Sequence, residues 1–439
     1  MAPRLPAASV GHRMRSAHPL RATMRRQLDS LAHADAATIR RSQERQLRAL
    51  VKYAAVAAPF YRRYFRENGI DPRSIRTLDD LRQLPVLTRD HLVEHFEDFC
   101  VYPRRLMWKA SSSGTSGRPV RVCRTPGSSV YELSALERQW SWFGLRPGAR
   151  RVILRGSDFA TDDPTKVTKQ VPGAHQLLVS SFHLVPDRLD EILAELRVFK
   201  PDAIEGWPSS IALLASLIRE RGERFPVSAV ITSSEVMSAG RVALIEEVFG
   251  GPIIDHYGQT ERVMMAGDCE RGGFHVFPDY GIVELLPVPG TDDRWELVGT
   301  PLHNWGFPLF RYRTGDEVGA APEGPCPCGR SFPRLGPIAG RIEDSFTAAD
   351  GRPIPLPATV IDDLEGVREA QIAQLGRGRF EVRVAPAADF REQAVQAAVR
   401  HNVERLIGSG QLVTLRVMQQ IPRSKSGKLR SAVVDSGCD

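Results

Sequence analysis

The chain has 439 residues, 42% of them hydrophobic and 25% charged, with a formal net charge of +7. That balance fits a globular protein of two or three domains with a large core. No run of 18 apolar residues could span a membrane, no apolar stretch near the start reads as a secretory leader, and a surplus carried by 52 Arg against 7 Lys is too thinly spread to require nucleic acid. A cytoplasmic protein without nucleic-acid or membrane partners is the expectation.

Arg4 to Arg26 holds no acidic residue, so residues 1–36 read as a basic tail with the composition of a disordered segment. Leu47, Leu50, Val51 and Ala54 recur at helical spacing, and the predicted helix ends near Ala58-Pro59. A second short helix is expected over Phe60–Asn68. Thr77 and Thr88 each precede a helix-like run and read as N-caps. Next comes Ser111-Ser112-Ser113-Gly114-Thr115-Ser116-Gly117-Arg118-Pro119, between strand-like Leu106-Met107-Trp108 and Val120–Cys123. Small residues let backbone N–H groups approach an anion, and the hydroxyls add donors for phosphate oxygens. No Gly-Lys-Ser/Thr closes the stretch, so it is not a Walker A loop.

Helices are expected over Ser128–Phe143, Leu189–Phe199, Ser209–Arg221 and Ser238–Phe249. Strands are expected over Arg151–Arg155, Ala203–Gly206, Val227–Ser233 and Pro252–Tyr257. This alternation predicts an α/β domain with a largely parallel sheet, whose ligands sit at the C-terminal ends of strands. Thr232-Ser233-Ser234-Glu235 and Tyr257-Gly258-Gln259-Thr260-Glu261 fall there. From Gly281 the texture becomes β-rich, with strands near Ile282–Leu286, Trp295–Val298 and Phe310–Tyr312. After a boundary near Gly340-Arg341, the last hundred residues read as a small α+β domain.

The six cysteines, Cys100, Cys123, Cys269, Cys326, Cys328 and Cys438, do not form a secreted disulfide framework. Cys269 and His275, with Cys326-Pro327-Cys328-Gly329 some fifty residues on, supply three thiolates and an imidazole. That set suits tetrahedral Zn²⁺ in a closed structural site.

Five stretches now stand in order: Ser111–Pro119, Tyr257–Glu261, Tyr312-Arg313-Thr314-Gly315-Asp316, Gly340-Arg341-Ile342-Glu343-Asp344, and Pro422–Arg430 with Ser426-Gly427-Lys428. Together they resemble the adenylate-forming ligases, within them the phenylacetate–CoA ligase branch and its CapK-like members, over nearly the whole chain from about residue 40. The resemblance implies a fold: a large N-terminal α/β domain over 37–340, with a zinc-containing β-rich subdomain at about 264–340, and a small mobile α+β lid over 341–439. It also implies a reaction. A carboxylic acid, with an aryl or arylacetic acid favoured, is activated by ATP as an acyl-adenylate with release of pyrophosphate. The acyl group then passes to a nucleophile, foremost the CoA thiol.

The resemblance assigns roles residue by residue. Ser112, Ser113, Gly114, Thr115, Ser116 and Gly117 would cradle pyrophosphate. Tyr257 would flank the adenine, Gly258 and Gln259 would belong to the same nucleotide-binding stretch, Thr260 would meet the α-phosphate, and Glu261 would help hold Mg²⁺. Asp316 would accept both ribose hydroxyls, with Tyr312 packed near the nucleoside and Arg341 reaching ribose or phosphate. Lys428 would be the catalytic lysine. Glu343 stands where the family often has an aspartate hinge. Some members of the branch carry zinc with the layout of Cys269, His275, Cys326 and Cys328. An amine, an amino sugar or a carrier-protein thiol are other acceptors, and transfer of AMP to a hydroxyl is an alternative reaction. A non-catalytic nucleotide-binding relative and a basic nucleic-acid binder are the readings from other classes. A homodimer is the expected assembly.

Overall fold

The computed structural model describes residues 18–111, 120–155, 166–171, 173–341, 346–354, 357–424 and 428–435. They fall into two compact units, one formed by Ser9–Pro147 and Asp255–Ala339, the other mainly by Gly148–Ile254 and Gly340–Asp439.

The first unit opens with helix α1 (Arg21–Ala32), which corrects the expectation of a disordered tail over residues 21–36. Leu28 and Ala32 lie one turn apart and are buried. Arg21 pairs with Glu137, and Arg25 donates to Ser141 Oγ at 2.7 Å. The acidic partner that the segment lacks comes from a distant helix, which local composition cannot reveal. Helix α2 (Ala36–Ala57) is capped by Asp35, whose carboxylate accepts from the Thr38 N–H at 2.6 Å. Its buried stripe includes Leu47, Leu50, Val51 and Ala54, as the spacing predicts. Helix α3 (Pro59–Glu67) begins on proline, whose missing N–H costs nothing at a first helical position. The run after Thr77 closes only a 3₁₀ segment, Asp79–Gln83. Thr88 caps α4 (Arg89–Glu94) as expected, with His91 Nδ1 accepting from the Thr88 N–H at 3.1 Å.

Strands β1 (Trp108–Ser111) and β2 (Arg121–Arg124) pair antiparallel. β1 starts later than expected because Arg104–Leu106 forms a 3₁₀ turn. Helix α5 (Pro126–Trp142) follows, capped by the Thr125 hydroxyl on the Ser128 N–H at 3.1 Å.

In the second unit, β3 (Arg151–Arg155), β4 (Thr168–Val171), β5 (Gln176–Ser180), β6 (Ala203–Gly206) and β7 (Ala229–Ser233) lie in the order β7-β6-β3-β5-β4. All neighbours are parallel except β4 and β5. The sequence reading missed β4 and β5, which lie between turn residues without a helix to separate them. Helices α6 (Leu189–Phe199), α7 (Pro208–Arg219) and α8 (Ala239–Phe249) bury Leu193, Leu214 and Ile245 against this sheet. Gly250 ends α8 with a left-handed backbone, φ +69°. The chain leaves the unit along β8 (Ile253–Gly258).

Back in the first unit come β9 (Met265–Asp268), β10 (Phe274–Val276), β11 (Gly281–Pro287), β12 (Trp295–Pro301), β13 (Tyr312–Val318), β14 (Arg334–Leu335) and β15 (Ile338–Arg341). β10 pairs antiparallel with both β9 and β14, and β11-β12-β13-β15 form the predicted β-rich sheet. The strand expected over Phe310–Tyr312 begins only at Tyr312, because Arg311 has φ +52° and breaks the extended backbone. Tyr61 accepts from the Phe310 N–H at 3.0 Å within this unit's main core. Arg138 of α5 pairs with Asp279, both essentially inaccessible, and donates to the Leu28 carbonyl of α1 at 3.0 Å. Asp279→Ala strands a buried guanidinium, so a loss of about 3–5 kcal/mol is expected, read from the urea midpoint. A change below 1 kcal/mol would mean that water compensates Arg138.

The C-terminal part of the second unit has β16 (Phe346–Thr347), β17 (Pro353–Ile354), β18 (Val367–Gly376), β19 (Arg379–Pro386), helix α9 (Glu392–Leu406), β20 (Leu412–Val417) and β21 (Ala432–Val434). The sheet order is β20-β19-β18-β21, with Val395, Val399 and Val403 of α9 in its core. This is the α+β organisation expected there. Arg368 on β18 clasps Glu220, the residue after α7, at 2.6 and 2.7 Å. Asp363 accepts from Ser238 Oγ and the Gly240 N–H at the start of α8, at 2.6 and 3.0 Å. No helix among the described residues is long and apolar enough to cross a membrane.

Candidate active site and metal centre

In the first unit, two sequence motifs meet. Tyr257 stands on β8, and its hydroxyl donates to Asp316 Oδ2 on β13 at 2.6 Å. Tyr312, at the head of β13, donates to Glu261 Oε1 at 3.1 Å. Asp316 is held by the local turn: its N–H donates to Thr314 Oγ1 at 3.1 Å, and that hydroxyl donates to the Leu297 carbonyl at 2.9 Å. Gly315 between them has φ +75°, which only glycine adopts cheaply. Burial, reinforced by the Asp316 charge, pushes the Tyr257 hydroxyl well above its ordinary value, so it stays a protonated donor.

Thr260 is also anchored, since its carbonyl accepts from Arg124 on β2. Gln259 and Arg262 close the turn after Gly258, with Arg262 N–H donating to the Gln259 carbonyl at 3.1 Å. Of the predicted residues, Tyr257 is thus bonded to Asp316 and Tyr312 to Glu261, while Thr260 is held through Arg124. Arg341 ends β15. Ser112, Ser113, Gly114, Thr115, Ser116, Gly117 and the proposed hinge Glu343 lie outside the described residues.

The sequence reading passed over a polar cluster beside this turn. Arg262, with φ +56°, pairs with Glu132 and donates to Ser129 Oγ at 3.2 Å. His303 lies 3.0 Å from Ser128 Oγ through Nδ1, in contact with the rings of Tyr131 and Tyr280. Ser128, Ser129, Tyr131 and Glu132 share α5, but Arg262, Tyr280 and His303 come from distant parts of the chain, so no local pattern joins the cluster. Burial lowers the His303 imidazole from 6.5 to about 3. Between those values the unfolded chain binds the proton and the folded chain does not. Stability therefore falls as pH drops through this window, by up to about 1.4 kcal/mol per pH unit. His303→Gln should flatten that slope in urea titrations between pH 6.5 and 4.5, whereas an unchanged slope would assign it to other groups.

Lys428 belongs to the second unit. Its Nζ donates to the Ser234 carbonyl, just past β7, at 2.5 Å. Ser234 has φ +70°, which turns the chain sharply at the strand end. The neighbouring Glu235 accepts from the Ser209 N–H and Oγ at 2.9 and 3.1 Å, capping α7. Lys428 itself sits on a tight loop, with the Ser424 N–H donating to its carbonyl at 3.0 Å and an Arg423–Leu429 bridge beneath. Arg423 is fastened by a buried pair with Glu369 of β18.

The four candidate metal ligands also converge. One ligand atom from each of Cys269, His275, Cys326 and Cys328 lies within 4.8 Å of all the others. Cys269 Sγ is 3.7 Å from Cys326 Sγ, and Cys328 Sγ is 3.3 Å from His275 Nε2. Two turns of one design present the thiols. Gly272 N–H donates to the Cys269 carbonyl at 2.8 Å, and Gly329 N–H to the Cys326 carbonyl at 3.1 Å. Both glycines have positive φ. The backbone N–H groups of Arg271 and Arg330 point at the sulfurs of Cys269 and Cys328, at 3.3 and 3.4 Å. His275 Nδ1 lies 2.9 Å from the Phe332 carbonyl, an arrangement that fixes the ring with Nε2 toward the thiols. The donor set and its supporting shell fit a tetrahedral thiophilic ion with no open position.

Among solved structures, 2-hydroxyisobutyryl-CoA ligase in its postadenylation state superposes with a TM-score of 0.71 at 22% identity, over 99% of this chain and 94% of that one. The fold is therefore that of the adenylate-forming ligases. No protein-family model matches the chain. A phenylacetate-coenzyme A ligase of Thermus thermophilus is 27% identical over 430 residues, 89% of this chain and 95% of its own. Protein CapK of Staphylococcus aureus is 20% identical over 401 residues, 89% of this chain and 88% of its own. The chain is thus similar over most of its length to phenylacetate-coenzyme A ligases and to CapK, the resemblance that its motif order implied.

Proposed function

We propose that the protein is an adenylate-forming acid–thiol ligase that activates a carboxylic acid with ATP and passes the acyl group to CoA. The observation that carries the reading is the joining of two motifs 51 to 59 residues apart through Tyr257–Asp316 and Tyr312–Glu261. An aromatic ring beside a buried, oriented carboxylate suits a nucleoside: the ring offers a face to the base, and the carboxylate accepts ribose hydroxyls.

In the first step a carboxylate oxygen of the substrate attacks the α-phosphorus and pyrophosphate leaves. Thr260 and the Ser111–Gly117 stretch donate to phosphate oxygens, and Lys428 offsets the negative charge that spreads in the transition state. In the second step the CoA sulfur attacks the acyl carbon and AMP leaves. Glu261 supplies a hard carboxylate oxygen for the Mg²⁺ that accompanies ATP, which neutralises phosphate charge. Residues 341–439 form the lid that carries Lys428, with Glu343 as its hinge. Cys269, His275, Cys326 and Cys328 hold structural Zn²⁺. Aryl and arylacetic acids are the preferred substrate class, as the phenylacetate-coenzyme A ligase relatives support.

The test is carboxylate-dependent ATP–pyrophosphate exchange with phenylacetate, benzoate and hydroxy- or aminobenzoates, followed by CoA thioester formation with the acid that responds. Exchange with one acid and consumption of the CoA thiol is the expected result. Exchange without thioester would replace CoA by another acceptor, and AMP transfer to a hydroxyl without exchange would overturn the ligase reading.

A further inference from the structure

Two thiols take no part in the nucleotide site or the metal cluster. Cys100 follows the 3₁₀ segment Phe96–Phe99 and is partly exposed, while Cys123 lies buried on β2 opposite Lys109. Their sulfurs are 3.9 Å apart across 23 residues of sequence, and Cys100 Sγ also approaches the Phe96 carbonyl at 3.5 Å. The two backbones are anchored independently. Cys100 N–H donates to the Glu97 carbonyl at 3.1 Å, and the Cys123 carbonyl accepts from Asn304 Nδ2 at 2.9 Å. Apposed thiols have no packing advantage over a pair of alanines or valines, and free cysteines are kept more often for their reactivity than for their shape.

We propose that Cys100 and Cys123 are a reversible thiol–disulfide pair, a clasp that hydroperoxides close between the end of Phe96–Phe99 and hairpin β1–β2. Bringing the sulfurs from 3.9 Å to the bonded distance of about 2.05 Å needs side-chain rotation with a small shift of Cys100, which ends a short 3₁₀ turn. Cys100 is the more exposed of the two residues. It attacks hydrogen peroxide, giving the sulfenic acid and one water. Cys123 Sγ then attacks the sulfenic sulfur, forming the S–S bond and releasing the second water. The two thiols are oxidised by two electrons and the peroxide is reduced, so the step balances. A dithiol reductant reverses it through a mixed disulfide. The contact between the two thiols, with the charges of Arg104 and Lys109 adding to it, lowers the Cys123 thiol and raises that of Cys100; the Cys123 thiolate is the form that resolves the sulfenic acid.

The clasp encloses β1 and the first part of β2, and the next residue, Arg124, anchors the Thr260 carbonyl. Its bearing on nucleotide binding rests on the function proposed above, but the bond itself does not. The experiment therefore reads the bond. The full-length protein is treated with hydrogen peroxide, free thiols are blocked, and trypsin is added without reductant. The expected product is residues 90–104 cross-linked to residues 122–124, about 2 Da lighter than the sum of the two thiol peptides and absent after dithiothreitol. Cys100→Ser, at a partly exposed position, should abolish this species and leave the rest of the peptide map unchanged. Recovery of Cys100 only as free thiol, sulfinic or sulfonic acid, or its linkage to a metal-cluster cysteine instead, would overturn the proposal.

Discussion

Lys428→Ala is expected to lower carboxylate-dependent ATP–pyrophosphate exchange by a factor on the order of 10²–10³, with the melting temperature nearly unchanged. The ammonium sits at the end of a flexible stem and donates to the carbonyl of Ser234 at 2.5 Å. Its backbone is held by other means, through Ser424 and the Arg423–Leu429 bridge. The fold therefore does not depend on the side chain, and an exposed contact of this kind is worth only about 0.5 kcal/mol. In the proposed mechanism catalysis does depend on it, because in-line displacement at phosphorus builds charge that a neutral methyl group cannot offset. ATP affinity measured by calorimetry should change far less than the rate, since Asp316 and Tyr257 remain. A variant that exchanges at the wild-type rate would remove Lys428 from the mechanism. A collapse of the melting temperature would give it a structural role instead.

The second large effect concerns the thiol–imidazole cluster. Elemental analysis is expected to find about one zinc per chain, the stoichiometry of one closed four-ligand site. Cys326→Ser should remove the metal. A bound ion would join Cys269 and His275 to the loop before β14, adding to the ladders of β10 with β9 and β14, the Glu270–Arg330 pair and the buried Phe332. Loss of the ion should therefore cost several kcal/mol, and for units of this size a fall in melting temperature of about 10 °C is expected. The cluster has no open coordination position, so exchange measured below the new melting temperature should survive. Metal-free protein with an unchanged melting temperature would overturn the structural-zinc assignment.

Much of the site was legible in the sequence because its parts are local. The glycine in Thr314-Gly315-Asp316 announces a turn that presents a carboxylate, and the structure has that turn at φ +75°. Cys326-Pro327-Cys328-Gly329 announces a ligand-bearing turn, and the structure repeats its design at Cys269-Glu270-Arg271-Gly272. The strands and helices from Ala203 to Phe249 were readable from the alternation of apolar runs, and Ser238, read as the first helical residue, is the cap of α8. Helix α1 was not readable. Its stability comes from Glu137, Ser141 and Arg138 on α5, more than a hundred residues away.

By itself, then, the sequence determined the kinds of chemistry present and their order: hydroxyls and glycines for phosphate, an aromatic and an aspartate for a nucleoside, a loop lysine after Ser426-Gly427, and three thiolates with an imidazole. Turn propensity and side-chain chemistry are properties of a few adjacent residues, so they survive without a fold. Only the tertiary structure decided which of these groups touch. It joined Tyr257 to Asp316 and Tyr312 to Glu261, closed the four metal ligands to within 4.8 Å, and set Cys100 against Cys123. Each of those contacts spans tens of residues, and it forms because the packed strands and helices between its partners leave both side chains at one place.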